Sequence, residues 1–263
     1  MLNFVFISAI VFALGVSTRS FAQGTSATAG TVTANPANAS DGIHDETQLG
    51  ITIISGNTNS QSYTIGEIAS YGWDSNIVKG TLHYLNTTAN GTNTALLWDS
   101  MGRYERQLSP NLGAFADQVV ESDVFSGVVQ RNSTDLGGQY SFWNRSDTDK
   151  LVTEFGYRYI TTQYTTNLPN SNVPTTVNHS LRLYAEIDKA ISSTTTGRLW
   201  AEYVPSLSNS NDWLFNFEPS ATVLISKILS LKIAYLYKYH NLIPPNLTVG
   251  SDTAFTTTLV AKF

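Results

Sequence analysis

The stretch Phe255-Thr256-Thr257-Thr258-Leu259-Val260-Ala261-Lys262-Phe263 alternates strictly. Phe255, Thr257, Leu259, Ala261 and Phe263 share one face of an extended chain, and Thr256, Thr258, Val260 and Lys262 share the other, because successive side chains of a strand point to opposite sides. Upstream, Leu231, Ile233, Tyr235, Tyr237 and Tyr239 oppose Lys232, Ala234, Leu236, Lys238 and His240. One face suits lipid and the other suits water. The same reading sets Trp213, Phe215, Phe217, Ala221, Val223 and Ile225 against Asn216, Glu218, Ser220 and Thr222. It also sets Leu181, Leu183, Ala185 and Ile187 against Arg182, Tyr184, Glu186 and Asp188, and Leu151, Thr153, Phe155, Tyr157 and Tyr159 against Glu154, Gly156 and Arg158. Over Ser62 to Tyr71, Glu67 falls on the face of Tyr63 and Ile65, and the register of that strand stays open.

Alternation alone fits a soluble β-sandwich as well as a barrel. Charge decides between them. A dry core has no cheap place for Glu154, Arg158, Arg182, Glu186, Arg198, Glu202, Glu218, Lys232 and Lys238, whereas a wet or salt-bridged lumen does. The inward charges are of both signs, which favours internal pairing over a strongly ion-selective pore. Glu154, Arg158, Arg182, Glu186, Arg198 and Glu202 fall on three successive strands and are expected to meet across the ladder.

Turn signals at Trp73-Asp74-Ser75-Asn76, Leu108-Ser109-Pro110-Asn111, Asn144-Arg145-Ser146-Asp147, Ile191-Ser192-Ser193-Thr194 and Lys227-Ile228-Leu229-Ser230 start 35, 36, 47 and 36 residues apart, and Phe263 lies 36 residues beyond the last. Longer links lie between them, near Ser55–Asn59, Thr88–Asn93, Asp123–Gly127, Thr162–Asn178, Ser208–Asn211 and Asn241–Ser251. Short and long connections alternate as they do between the two rims of an outer-membrane barrel, and the segments number twelve, with ten the nearest alternative. The predicted fold is therefore all-β, a transmembrane antiparallel up-and-down barrel over residues 45–263. Trp73, Trp98, Trp143, Trp200 and Trp213 mostly fall near strand ends or turns, which fits interfacial aromatic girdles.

Phe4 to Val16 is apolar, too short to span a bilayer and long enough for a signal-peptide core, and Ser20-Phe21-Ala22 supplies small residues ahead of a cut near Gln23. The segment before the apolar run lacks a basic residue. Residues 1–22 are read as a signal peptide and 23–44, rich in Ala, Thr, Ser and Asn, as a flexible periplasmic extension. Losing residues 1–22 leaves 14 basic against 20 acidic residues, which offers no nucleic-acid surface. Cysteine is absent, which excludes disulfides, thiolate metal sites, cysteine nucleophiles and lipoprotein anchoring.

No catalytic, cofactor or metal site is predicted. His44, His83, His179 and His240 are dispersed. His179 and Ser180, being adjacent in a strand, point to opposite faces and lack a hydrolase context. Asp123 and Asp252 read as solvated rim carboxylates rather than cation ligands. The expected partners are outer-membrane lipid, lipopolysaccharide and the outer-membrane assembly machinery, with Phe263 as assembly signal. The oligomeric state stays open.

Several motifs between Thr47 and Phe263 resemble those of an outer-membrane family often labelled salt-stress-induced and otherwise of unknown function. They are Gly50 with Ser55-Gly56-Asn57-Thr58, Arg103-Tyr104, Leu108-Ser109-Pro110, Asp123-Val124-Phe125 with Arg131, Gly137-Gly138-Gln139-Tyr140, Glu154-Phe155-Gly156, Leu229-Ser230-Leu231-Lys232, Pro244-Pro245, Asp252 and Lys262-Phe263. The resemblance implies an outer-membrane, porin-like barrel of the Gram-negative cell envelope linked to salt or osmotic stress, and it transfers no catalytic residue. Three functions follow: a structural or stress-response barrel with a closed lumen, a narrow channel for small solutes, and a surface lipid-modifying enzyme.

Overall fold

The computed structural model describes residues 42–54, 60–124, 127–146, 148–164, 175–242 and 250–262. The predicted signal peptide, most of the predicted extension and Phe263 lie outside them. Twelve strands follow one another: β1 (Gly42–Ile54), β2 (Ser60–Trp73), β3 (Asn76–Ala89), β4 (Thr92–Gln107), β5 (Leu112–Asp123), β6 (Val128–Ser146), β7 (Asp149–Tyr164), β8 (Thr175–Ala190), β9 (Thr195–Pro205), β10 (Trp213–Leu224), β11 (Leu229–His240) and β12 (Ser251–Lys262). Each pairs antiparallel with its neighbours in sequence, and β1 pairs with β12 to close the barrel. That closure leaves no free edge, the condition for a sheet in hydrocarbon.

The β1–β12 seam registers Glu46, Thr47, Gln48 and Leu49 against Lys262, Ala261, Val260 and Leu259, and Lys262 Nζ meets Glu46 at 3.0 Å. β1 starts at Gly42, so residues 42–44, His44 among them, belong to the barrel rather than to the extension. The link read as Thr88–Asn93 is a two-residue turn, with Asn90 and Gly91 both at positive φ between Ala89 and Thr92. Two left-handed residues match the twist of the strands they join, which is why Asn-Gly makes a tight hairpin here. The link read as Thr162–Asn178 is shorter too, because β7 runs to Tyr164 and β8 begins at Thr175.

The predicted faces hold along the later strands. Phe155, Tyr157, Leu183, Ile233, Tyr235 and Phe255 are exposed on the outside, while Glu154, Arg158, Arg182 and Glu186 are buried within. In β2 the inner face is Gly66, Ile68 and Gly72, so Glu67 points outward with Tyr63, Ile65 and Tyr71. Trp200 departs from the girdle reading. It shares the inner face with Arg198 and Glu202, is 2% exposed and stacks on Tyr184, because it lies an even number of residues from both charges.

Candidate functional site: the luminal ion-pair network

The inner faces of β4 to β9 carry most of the buried charge among the described residues, and at mid-height the side chains meet. Arg103 of β4 donates from Nε to Glu105 (2.5 Å), from Nη1 to Asp117 of β5 (3.0 Å) and from Nη2 to Glu154 of β7 (2.6 Å). Arg158 holds Asp135 of β6 through two parallel hydrogen bonds of 2.7 and 2.6 Å and reaches Glu202 of β9 at 3.0 Å. Between them, Arg182 of β8 donates to Glu154 and, at 2.6 Å, to Glu202. Asn216 donates to the other oxygen of Glu202 at 3.0 Å. Planar guanidinium forks suit this role, since each can bridge carboxylates on two or three strands at once.

Adjacent strands meet along the wall, but β4 and β7 stand three spacings of about 4.8 Å apart. An Arg103–Glu154 bond therefore lies inside the lumen, and both side chains are fully buried. Phe115 lies beneath the network, 4.1 Å from the Arg103 guanidinium carbon, with its ring tip over Gly137 and Gly156. A Cβ built on Gly137 would come within 2.8 Å of that ring tip, so the glycine is what admits the aromatic side chain.

A second cluster lies nearer the tight turns. Glu186 accepts from Arg198 and from Tyr184 Oη (2.5 Å) and meets Lys150 Nζ at 3.1 Å. Lys150 also approaches Asp188 at 3.3 Å. Tyr184 links the two clusters, because the Arg182 guanidinium sits 5.0 Å over its ring. Glu218 and Lys232 make a separate pair at 3.4 Å. Lys238 is buried near the long-loop end, in register with Asn216 of the central cluster and with Asp252.

Six of the nine predicted luminal charges thus fall into the two clusters. Arg103, Glu105, Asp117 and Asp135 complete the central one and were not among those predicted. Arg103 and Glu105 at i, i+2, opposite Tyr104, carry the same alternation signal. Phe115 and Val119 on the inner face obscure it for Asp117. Among the described residues, no group of three or more His, Asp or Glu side chains is placed to hold a metal.

The opposite wall is different. Gly50, Gly66, Ala234 and Thr258 line it, and β3 turns Lys79, Thr81 and His83 inward. His83 Nδ1 lies 3.1 Å from Asp99. Lys79 Nζ, Thr81 Oγ1 and His83 Nε2 are buried with no hydrogen-bond partner among the described residues.

Residues 47–263 match the family model described as "Protein of unknown function, DUF481". No curated protein matches the sequence. Among solved structures, the chain is similar to the NanC porin (13% identity, TM-score 0.47, covering 84% of this chain and 98% of that one). It is also similar to the translocator domain of the autotransporter NalP from Neisseria meningitidis (12%, 0.49, covering 89% and 91%). The KdgM porin solved with disordered oligogalacturonate is a third (11%, 0.41, covering 83% and 96%). These are likenesses of fold alone, to outer-membrane β-barrels.

Proposed function

The chain belongs to the family of unknown function DUF481, and from its geometry we propose that it is a structural barrel of the Gram-negative outer membrane whose lumen is sealed at mid-height by ion pairs. The observation that carries this is the buried Arg103–Glu154 contact between non-neighbouring strands. The outer face supports the membrane setting, since Leu49, Ile65, Leu82, Leu136, Phe155 and Phe255 are left exposed by the described residues. On this reading the rim of the Trp73–Asn76 and Leu108–Asn111 turns faces the periplasm and the opposite rim, the Asn90-Gly91 hairpin included, faces the exterior, after export through a cleaved signal peptide. The motif resemblance supports a role under salt or osmotic load, with no chemistry of its own.

Single-channel recording tests the seal. Purified protein in planar bilayers should show no steady conductance, and Glu154→Ala should introduce a leak. A large steady conductance in the unmodified protein overturns the reading. The second reading, a narrow channel, is favoured by the small-residue wall and the unpartnered Lys79, Thr81 and His83 atoms. If it is correct, the unmodified barrel conducts and Lys79→Glu changes its ion preference.

A further inference from the structure

Above the seal, at the long-loop end, the described residues of β6 to β11 bound a cavity of about 370 Å³. Its floor is Ile160, Ser180 and Val204, each one inward step along its strand from Arg158, Arg182 and Glu202 of the central network. The sealed network therefore turns the mouth of the barrel into a blind cup of small-ligand size.

The wall of the cup is rich in groups that both donate and accept. Thr162, Thr176, Ser180, Ser206 and Ser208 supply hydroxyls, and Asn178 and Asn209 supply amides. They are held in place: Ser206 Oγ donates to Asn178 Oδ1 at 2.6 Å and accepts from the Ser208 and Asn209 amides at 3.1 Å each. The charged groups are committed to one another. Arg131 donates to Glu121 at 2.8 Å and to Thr162 Oγ1 at 3.1 Å. Asp212 has one oxygen on His240 Nε2 at 2.7 Å and accepts from Asn178 Nδ2 with the other at 2.8 Å. Ile160, Val204, Leu214 and Leu242 add an apolar strip.

We propose that this cup binds a small uncharged polyhydroxylated solute, a sugar or polyol. Each hydroxyl of such a ligand is donor and acceptor and can share in the bonds that the hydroxyls and amides of the wall make with one another, and its C–H face suits the apolar strip. A charged ligand would find its counter-charge already paired. The inference rests on the sealed floor of the proposed function.

The test is isothermal titration of the full folded protein in detergent micelles with trehalose, sucrose and glucuronate. Saturable millimolar binding of a neutral disaccharide is expected, with glucuronate weaker. Thr176→Trp at the exposed mouth and, independently, Ser208→Tyr should each weaken it about tenfold or more by displacing the ligand from the wall's hydrogen bonds. Heat-modifiable gel mobility identifies the folded variants. No neutral sugar binding, binding indifferent to the folded blocking variant, or glucuronate binding as tightly overturns the proposal. A silent barrel that binds no sugar removes the cup and leaves the seal. Steady conductance blocked by sugar keeps the binding and removes the seal.

Discussion

Arg182 Nε donates to Glu202 at 2.6 Å while its Nη1 donates to Glu154, so a single guanidinium joins β7, β8 and β9 inside the barrel. Its side chain is 3% exposed. Arg182→Ala leaves three buried carboxylates short of a partner, Glu154, Glu202 and Asp135, the last 3.4 Å from Nε, which is expected to cost about 3–5 kcal/mol. Lys232, bonded to Glu218 at 3.4 Å, is the contrast, and Lys232→Ala, which leaves a single buried carboxylate short of a partner, should cost less than Arg182→Ala. Urea unfolding in lipid vesicles measures both, and equal losses would show that the network does not act as a unit.

The Phe115 ring tip against Gly137 and Gly156 makes a second, purely steric prediction. A Cβ at Gly137 would lie 2.5 Å from the Phe155 carbonyl oxygen and 2.8 Å from the Gly156 Cα, and backbone cannot give way as a flexible side chain can. Gly137→Ala is therefore expected to destabilise by about 1–3 kcal/mol, the range for overpacking. At Gly138 the nearest atom stands 3.6 Å away, and Gly138→Ala should be tolerated. Thermal unfolding of the two adjacent variants separates a steric effect from a general intolerance of alanine in β6.

Strand phase was legible in the sequence wherever charge and apolar bulk fell on opposite faces, as in Glu154, Arg158, Arg182 and Glu186 against Phe155, Tyr157, Leu183 and Ala185. It was illegible where the lumen itself carries bulk. Phe115 and Trp200 look like lipid-facing residues until their parity with Asp117 and Glu202 is counted. Which charges meet was legible only between adjacent strands. Arg103 and Glu154 are joined by the curvature of the closed sheet, a property of strand number and tilt that no local pattern encodes. The same holds for the cup, whose wall gathers side chains from Arg131 to Leu242.

The Asn90-Gly91 turn yields a prediction on backbone strain. Gly91 sits at φ 78° with no atom within 4 Å of a built Cβ, so Gly91→Ala meets no clash. The cost is conformational, roughly 1 kcal/mol or more for a left-handed alanine. Gly102 also has open space but ordinary strand φ, and Gly102→Ala is expected to be neutral or stabilising. Matched unfolding curves for the two variants would contradict this if Gly102→Ala proved the worse.

Glu67 offers a test of the membrane setting itself. It points outward among exposed Leu49, Ile65 and Leu82, where a carboxylate against hydrocarbon is unfavourable; Thr47 Oγ1 donates to it at 2.8 Å across the β1–β2 ladder, and the Asp45 carboxyl group on the same face also hydrogen-bonds it. Removing the Thr47 hydroxyl takes one donor from the acid, and removing both groups leaves no acid deprived of that donor. Thr47→Val should therefore lower stability in lipid vesicles by about 1 kcal/mol or more, and Glu67→Leu should leave it unchanged or raise it. Added to Thr47→Val, the Glu67→Leu change should restore the loss. In water the ordering reverses, because an exposed leucine gains nothing from solvent and a solvated glutamate needs no partner. A Glu67→Leu barrel that unfolds more readily than Thr47→Val in vesicles would mean that this face of β2 does not lie against lipid.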